Sequence, residues 1–191
     1  MPRYRPSLLP LILLCLAPAA YAQDAVVTIM REPLPVSKIG QSLDVLTAAD
    51  VQTYQPVLLS DLLLHTTDLS VARNGGPGEA AAASIRGAGA DHTLYILNGI
   101  RLNDPSQVGG GTNLGLLNTG DAARVEVLRG PLSTLWGQGA LGGVVSITTR
   151  TPQTPLEGDL NVQGLDHYGA ARLGLGGVDG RLKWRLSTGL I

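Results

Sequence analysis

Gly137-Gln138-Gly139-Ala140-Leu141-Gly142 spells G-x-G-x-x-G, the spacing with which a backbone turn approaches a pyrophosphate. That chemistry needs a strand before the turn and a helix after it. Here a β-prone run, Val144 to Thr149, follows the glycines, and the context argues against a nucleotide site. His65, His92 and His167 have no partner at metal-ligand spacing. There is no G-x-S-x-G elbow, no Ser/His/Asp grouping, and no spacing that pairs two carboxylates for acid/base work. The sequence therefore assigns no catalytic residue, no metal and no cofactor, and it reads against an enzyme.

What the chain offers instead is backbone. Gln23 to Gln41 is expected to be extended, because Val26, Val27 and Ile29 favour strand while Pro33 and Pro35 fix φ and remove two donors. Such a segment is either a strand awaiting a partner's sheet edge or a frayed terminus. Asn74-Gly75-Gly76-Pro77-Gly78 cannot be regular structure, and Asn103 to Gly111 is a long loop of small residues.

The elements that must position these loops begin at Ser42. Leu43, Val45 and Thr47 alternate as a strand, and Thr47-Ala48-Ala49-Asp50 is a capping box opening a helix towards Tyr54. Pro56 to His65 is expected to be a second helix carrying Leu58, Leu59, Leu62 and Leu63 on one stripe. Leu69 to Arg73 returns as a strand. Thr93 to Leu97 and Ile100 to Leu102 flank Asn98-Gly99, a hairpin signal with a type I′ turn. Arg124 to Leu128 and Val144 to Arg150 are further strands. After Pro152 the residues alternate apolar and polar in runs near 10 residues, with a turn expected at Gly177 to Gly180, the weak signature of a transmembrane β-barrel. A soluble sandwich edge reads similarly. Three such strands cannot close, and the chain is expected to be a fragment.

Composition bounds the classes. The 191 residues are 44% hydrophobic and 15% charged with a formal net charge of -1, which excludes a polyanion binder acting by counterion release and an extended disordered chain. No nucleic-acid partner is expected. With 25 Gly, 12 Pro and no Phe, turns and short strands are favoured over a helical bundle. The single Cys cannot form an internal disulfide. Arg3 and Arg5, the apolar run Leu8 to Ala20, and Ala20-Tyr21-Ala22 form a cleavable secretory signal over residues 1–22. A lipoprotein anchor on Cys15 competes, but Leu14 is bulkier than that processing usually accepts.

These pieces resemble the opening of TonB-dependent outer-membrane receptors. The resemblance is carried by Asp24-Ala25-Val26-Val27-Thr28, similar to a TonB box, and by Ser84-Ile85-Arg86-Gly87, Leu97-Asn98-Gly99-Ile100-Arg101-Leu102 and Arg124-Val125-Glu126-Val127-Leu128-Arg129-Gly130-Pro131. Trp136-Gly137 and Gly142-Gly143-Val144-Val145-Ser146-Ile147 complete it. Within the family, the closest texture is that of the vitamin B12 (cobalamin) receptor.

The resemblance implies an α/β plug domain, a small mixed sheet with short helices and long loops, over residues 41–151. Residues 23–40 would hold the TonB box and tether, and residues 152–191 the first antiparallel strands of a barrel of about 22 strands, truncated. It further implies a place in the outer membrane with lipid around the barrel, and TonB as periplasmic partner. The ligand would be cobalamin or a ferric siderophore, contacted by Asn74, Gly75, Gly76, Gly78, Val108, Gly109 and Gly110. Arg86 and Arg129 match plug arginines that meet barrel glutamates in this family. A loop without aromatic or basic residues mildly favours cobalamin or another neutral ligand. A free-standing periplasmic binding module, a TonB-engaging adaptor and a non-functional truncated receptor are the alternatives.

Overall fold

The computed structural model describes residues 26–27, 29, 34–104, 106, 110–164 and 169–191. The expected signal, Asp24, Ala25, Thr28, Val108, Gly109 and His167 lie outside the described residues.

Val26–Val27 (β1) pairs antiparallel with Leu34–Pro35 (β2), so the extended segment folds back on its own tether. Leu43–Thr47 (β3) runs into a helix over Ala48–Tyr54 (α1). At that junction the Thr47 backbone N–H and hydroxyl both donate to the Asp50 carboxylate at 2.7 Å, which holds Asp50 below the ordinary carboxylate range.

The second helix is shorter than the stripe of leucines implies, Leu59–Leu63 (α2). Leu58 is extended and forms a bridge with Asn118, while Leu59 N–H donates to Leu117 O at 2.8 Å. A contact far along the chain thus sets where the helix starts. The stripe itself is right: Leu58, Leu59, Leu62 and Leu63 are all buried.

Leu69–Arg73 (β4) forms a hairpin with Ala81–Ile85 (β5). β5 carries no strand signal in the sequence, because alanine has little strand preference. Its small side chains fit where Ala81, Ala83 and Ile85 turn inward and are buried. Thr93–Leu97 (β6) and Ile100–Arg101 (β7) form the expected hairpin, with Leu97 opposite Ile100. Asn98 and Gly99 have φ of 48° and 87°, the two left-handed residues of a type I′ turn.

Ala122–Arg129 (β8), the short helix Ser133–Trp136 (α3) and Gly143–Thr149 (β9) complete a five-stranded mixed sheet, ordered β3-β8-β9-β6-β7. Only β6 and β9 run parallel. A helix precedes the G-x-G-x-x-G and a strand follows it, the reverse of a nucleotide site.

Both faces of this sheet are buried, which is why its central strands read as nearly continuous apolar runs. One face carries Tyr95, Val125, Val127, Val145 and Ile147 against α1, α2 and β5. The other carries Leu94, Ile96, Leu128 and Val144 against Ile29, Leu132, Ala140 and the partly buried Trp136. At about 1.5–3 kcal/mol per fully buried aliphatic side chain, these two layers hold the domain together.

The C-terminal residues form a separate antiparallel sheet: Glu157–Gly164 (β10), Gly169–Asp179 (β11) and Leu182–Leu190 (β12). Asp179 pairs with Leu182, so the turn is Gly180-Arg181 rather than the expected Gly177 to Gly180. Gly180 has φ of 57°, and Gly177 to Asp179 pair in the ladder instead. The alternation holds. Leu160, Val162, Leu173, Leu175, Leu182, Trp184, Leu186 and Leu190 are exposed, while Asn161, Gln163, Arg172 and Arg185 bond to the first domain. Closure into a barrel lies beyond three strands.

Candidate functional site

Two loops expected to meet a ligand converge. Asn74 N–H donates to Ala80 O at 3.0 Å and closes the β4–β5 loop, on which Asn74, Gly75, Gly76 and Gly78 are exposed. Gly78 N–H then donates to Gly115 O at 3.2 Å, and Asn113 Oδ1 accepts from Ala81 N–H and Gly115 N–H, both at 3.0 Å. The Asn113 side chain thereby splices one loop onto the other.

The second loop is anchored at its root by Asn103. Its Oδ1 accepts from Tyr95 N–H at 3.1 Å, and its Nδ2 donates to Gly110 O at 3.0 Å. Asp104 accepts from Ser106 hydroxyl and N–H at 2.7 and 2.8 Å, and these bonds hold its carboxyl below the usual range. Between the loops lies an open cavity of about 440 Å³, lined by Ala72, Asn74, Asp91, Gly111, Thr112 and Asn113 among others. The Thr112 hydroxyl is buried and has no hydrogen-bond partner among the described residues, a group that a ligand or water would satisfy.

Gly115 is the tight point of the splice. A Cβ built there would lie 1.9 Å from Glu79 O. Gly115→Ala must push the loops apart, and overpacking of this kind typically costs about 1–3 kcal/mol. The expected result is a lower urea midpoint with faster proteolysis in 74–80; an unchanged midpoint would show that the loops are not spliced in solution.

The second constellation holds the N-terminal segment. Ile29 is buried in the second core layer. Its N–H donates to Glu126 Oε2 at 3.1 Å, and its carbonyl accepts from Trp136 Nε1 at 2.8 Å. Glu126 is itself buried, and Arg124 Nε donates to its other oxygen at 2.6 Å. Val26 and Val27 sit in β1, beside this clasp in sequence.

The structure places Arg86 and Arg129 against acids of their own domain. Arg86 has a left-handed backbone, φ 52°; its N–H donates to Asp68 O at 2.8 Å and its Nε to Asp68 Oδ2 at 3.2 Å. Arg129 is buried, pairs with Asp44, and donates to Thr67 O at 3.0 Å and Ser42 Oγ at 2.9 Å. Asp44, Glu126 and Asp121, which meets the C-terminal sheet, were not singled out from sequence. Glu126 alone carried a local signal, an acid inside an apolar strand run.

The sequence pattern of the TonB-dependent receptor plug domain matches residues 35–144. The chain belongs to that family. TonB-dependent receptors are transporters, not enzymes, in keeping with the absence of a catalytic grouping in the sequence. Among solved structures, the chain resembles the ferripyoverdine receptor FpvA of Pseudomonas aeruginosa at 20% identity, covering 86% of this chain and 22% of that one, with a TM-score of 0.71. It also resembles the ferric enterobactin receptor PfeA of P. aeruginosa (24% identity, 80% of this chain and 25% of that one, TM-score 0.61). The siderophore receptor PirA of Acinetobacter baumannii is 25% identical over 77% of this chain and 24% of that one, TM-score 0.58. The chain thus spans about a quarter of the length of the structures it matches. These relatives are siderophore receptors, and the finer likeness to the cobalamin receptor finds no support in them.

Proposed function

We propose that this chain is the N-terminal part of an outer-membrane, TonB-dependent receptor that imports a ferric siderophore. Residues 1–22 are its export signal, 23–40 its TonB box and tether, 41–151 its plug, and 152–191 its first barrel strands. The observation that carries the reading is a plug-family domain followed at once by a sheet whose polar face meets the plug and whose apolar face is exposed. Such a face suits lipid. The cavity between Asn74 and Asn113 is the plug's share of the ligand site, with Gly75, Gly76, Gly78 and Gly110 on the loops around it. The siderophores of the relatives named above favour an iron chelate over cobalamin as cargo.

TonB would engage Asp24 to Thr28 by adding them as a strand to its own sheet, an interaction made mainly by backbone hydrogen bonds. Proline removes a ladder donor. Titration of TonB's periplasmic domain with the mature protein tests this: Val27→Pro is expected to abolish binding, and unchanged affinity would displace the box. Titration with ferric enterobactin, ferripyoverdine and cobalamin tests the cargo, and selective binding of cobalamin would overturn the siderophore reading.

A further inference from the structure

The C-terminal sheet meets the plug across a seam with little packing in it. Among the described residues, neither apolar core contains a side chain of β10, β11 or β12. Cavities of about 70 and 480 Å³ open along the seam, lined from both sides. Gln55 Oε1 accepts from Asn161 Nδ2 and Gln163 Nε2, each at 3.1 Å.

The strong contacts are charged. Arg172 and Arg185 reach from β11 and β12 to Asp121 Oδ1 at 3.1 and 2.9 Å. On the sheet itself they also meet Asp159, Arg172 at 2.7 Å, and Arg185 reaches Glu157 at 3.4 Å. Of these three carboxylates Asp121 alone belongs to the plug. All five side chains are one-third exposed or less, so water screens them only in part. The neighbouring Gly120 makes the approach possible: a Cβ there would lie 2.0 Å from Arg172 Cδ.

We infer that Asp121 is the charge latch that seats the C-terminal sheet on the plug, and that the two bodies part first at this seam. Hydrogen-bonded ion pairs set register without the adhesion of an apolar interface, and removing one partner leaves charges poorly compensated. The latch joins an acid on the plug to arginines on the sheet. It holds whatever cargo the protein takes, and its test does not involve TonB or a siderophore.

Arg150 supplies the readout. It lines the smaller seam cavity, and its N–H donates to Asp121 O at 2.8 Å. Arg150 is partly buried against the seam, so trypsin is expected to cut after it faster when the seam opens, whereas cutting after the buried Arg129 in β8 requires the core to unfold. When opening and closing outpace cleavage, the cutting rate follows the open population. On the whole protein in detergent, Asp121→Asn is expected to speed cleavage after Arg150 by at least about tenfold, equivalent to about 1.4 kcal/mol, and to leave cleavage after Arg129 unchanged. Arg185→Gln, on the sheet side and remote from both cores, is expected to do the same. Combining the two should add little, since Asp121→Asn already weakens the contact that Arg185 makes across the seam. Wild-type rates in both variants overturn the proposal. So does an equal acceleration after Arg129 in both, because plug and sheet would then be one cooperative unit.

Discussion

Arg129→Met is expected to destabilise the plug by about 3 kcal/mol or more, the loss that follows when one partner of a buried, hydrogen-bonded pair is removed. The Arg129 side chain is fully buried and its guanidinium has three directions of use: the Asp44 carboxylate, the Thr67 carbonyl and the Ser42 hydroxyl. Methionine roughly fills the volume but leaves the Thr67 carbonyl without this donor and Asp44 without its cation, each a desolvation loss of its own. With a slope of about 1–3 kcal/mol per molar urea, the midpoint should fall by roughly 1–3 M. Arg129→Lys keeps the charge without the planar fork and should fall between. If Arg129 acted only towards a barrel wall, as the family resemblance implied, Arg129→Met would loosen the sheet and leave the plug's own midpoint where it was.

The same knot fixes a pH dependence. Burial pushes the Asp44 carboxyl up, but the Arg129 and Thr67 bonds outweigh it and hold the group below its ordinary 3.8. The unfolded chain therefore takes up the proton first. Stability from this pair is complete above about pH 4 and is lost as pH falls through the folded value. In Arg129→Met only the Thr67 bonds remain, so the loss of stability below pH 4 should be shallower than in the wild type.

The knot also marks what the sequence could and could not reveal. Asn98-Gly99 specifies its turn locally, because two adjacent left-handed residues are what that dipeptide tolerates, and the hairpin stands where expected. The leucine stripe of α2 was legible for the same reason, being a period along one helix. Its N-terminal boundary was not, since Leu58 is held extended by Asn118. Nor was β5, whose alanines become strand only because β4 pairs with them and the core beneath Ala81 and Ala83 selects small residues. Among the site residues, the glycines of the two loops announced themselves. The acids did not: Asp44, Asp121 and Glu126 matter through partners that the fold brings near. An arginine in a motif states that a guanidinium is wanted, not which carboxylate it meets.

Freeing the N-terminal segment is expected to strengthen TonB binding, and Ile29→Ala should do so most. The β1–β2 pairing is only two residues long, and Pro35 contributes no N–H to it. Among the described residues, the anchor of the segment is Ile29, through its buried side chain and the bonds to Glu126 and Trp136. Truncating a buried isoleucine to alanine costs about 2–5 kcal/mol. If that loss falls on docking of the segment, even its lower end shifts the docked-to-free ratio about 30-fold. When only the free form is competent, the apparent dissociation constant is the intrinsic one divided by the free fraction. Apparent affinity for TonB's periplasmic domain should rise with that fraction, until the segment is mostly free. Trp136→Phe leaves the segment's own sequence intact and deletes one donor to its carbonyl, worth about 1 kcal/mol and about a fivefold gain. The order Ile29→Ala above Trp136→Phe above wild type, measured by titration calorimetry, would place the clasp between the plug and its motor. Equal affinities in all three would mean that TonB reads the segment while it is still docked.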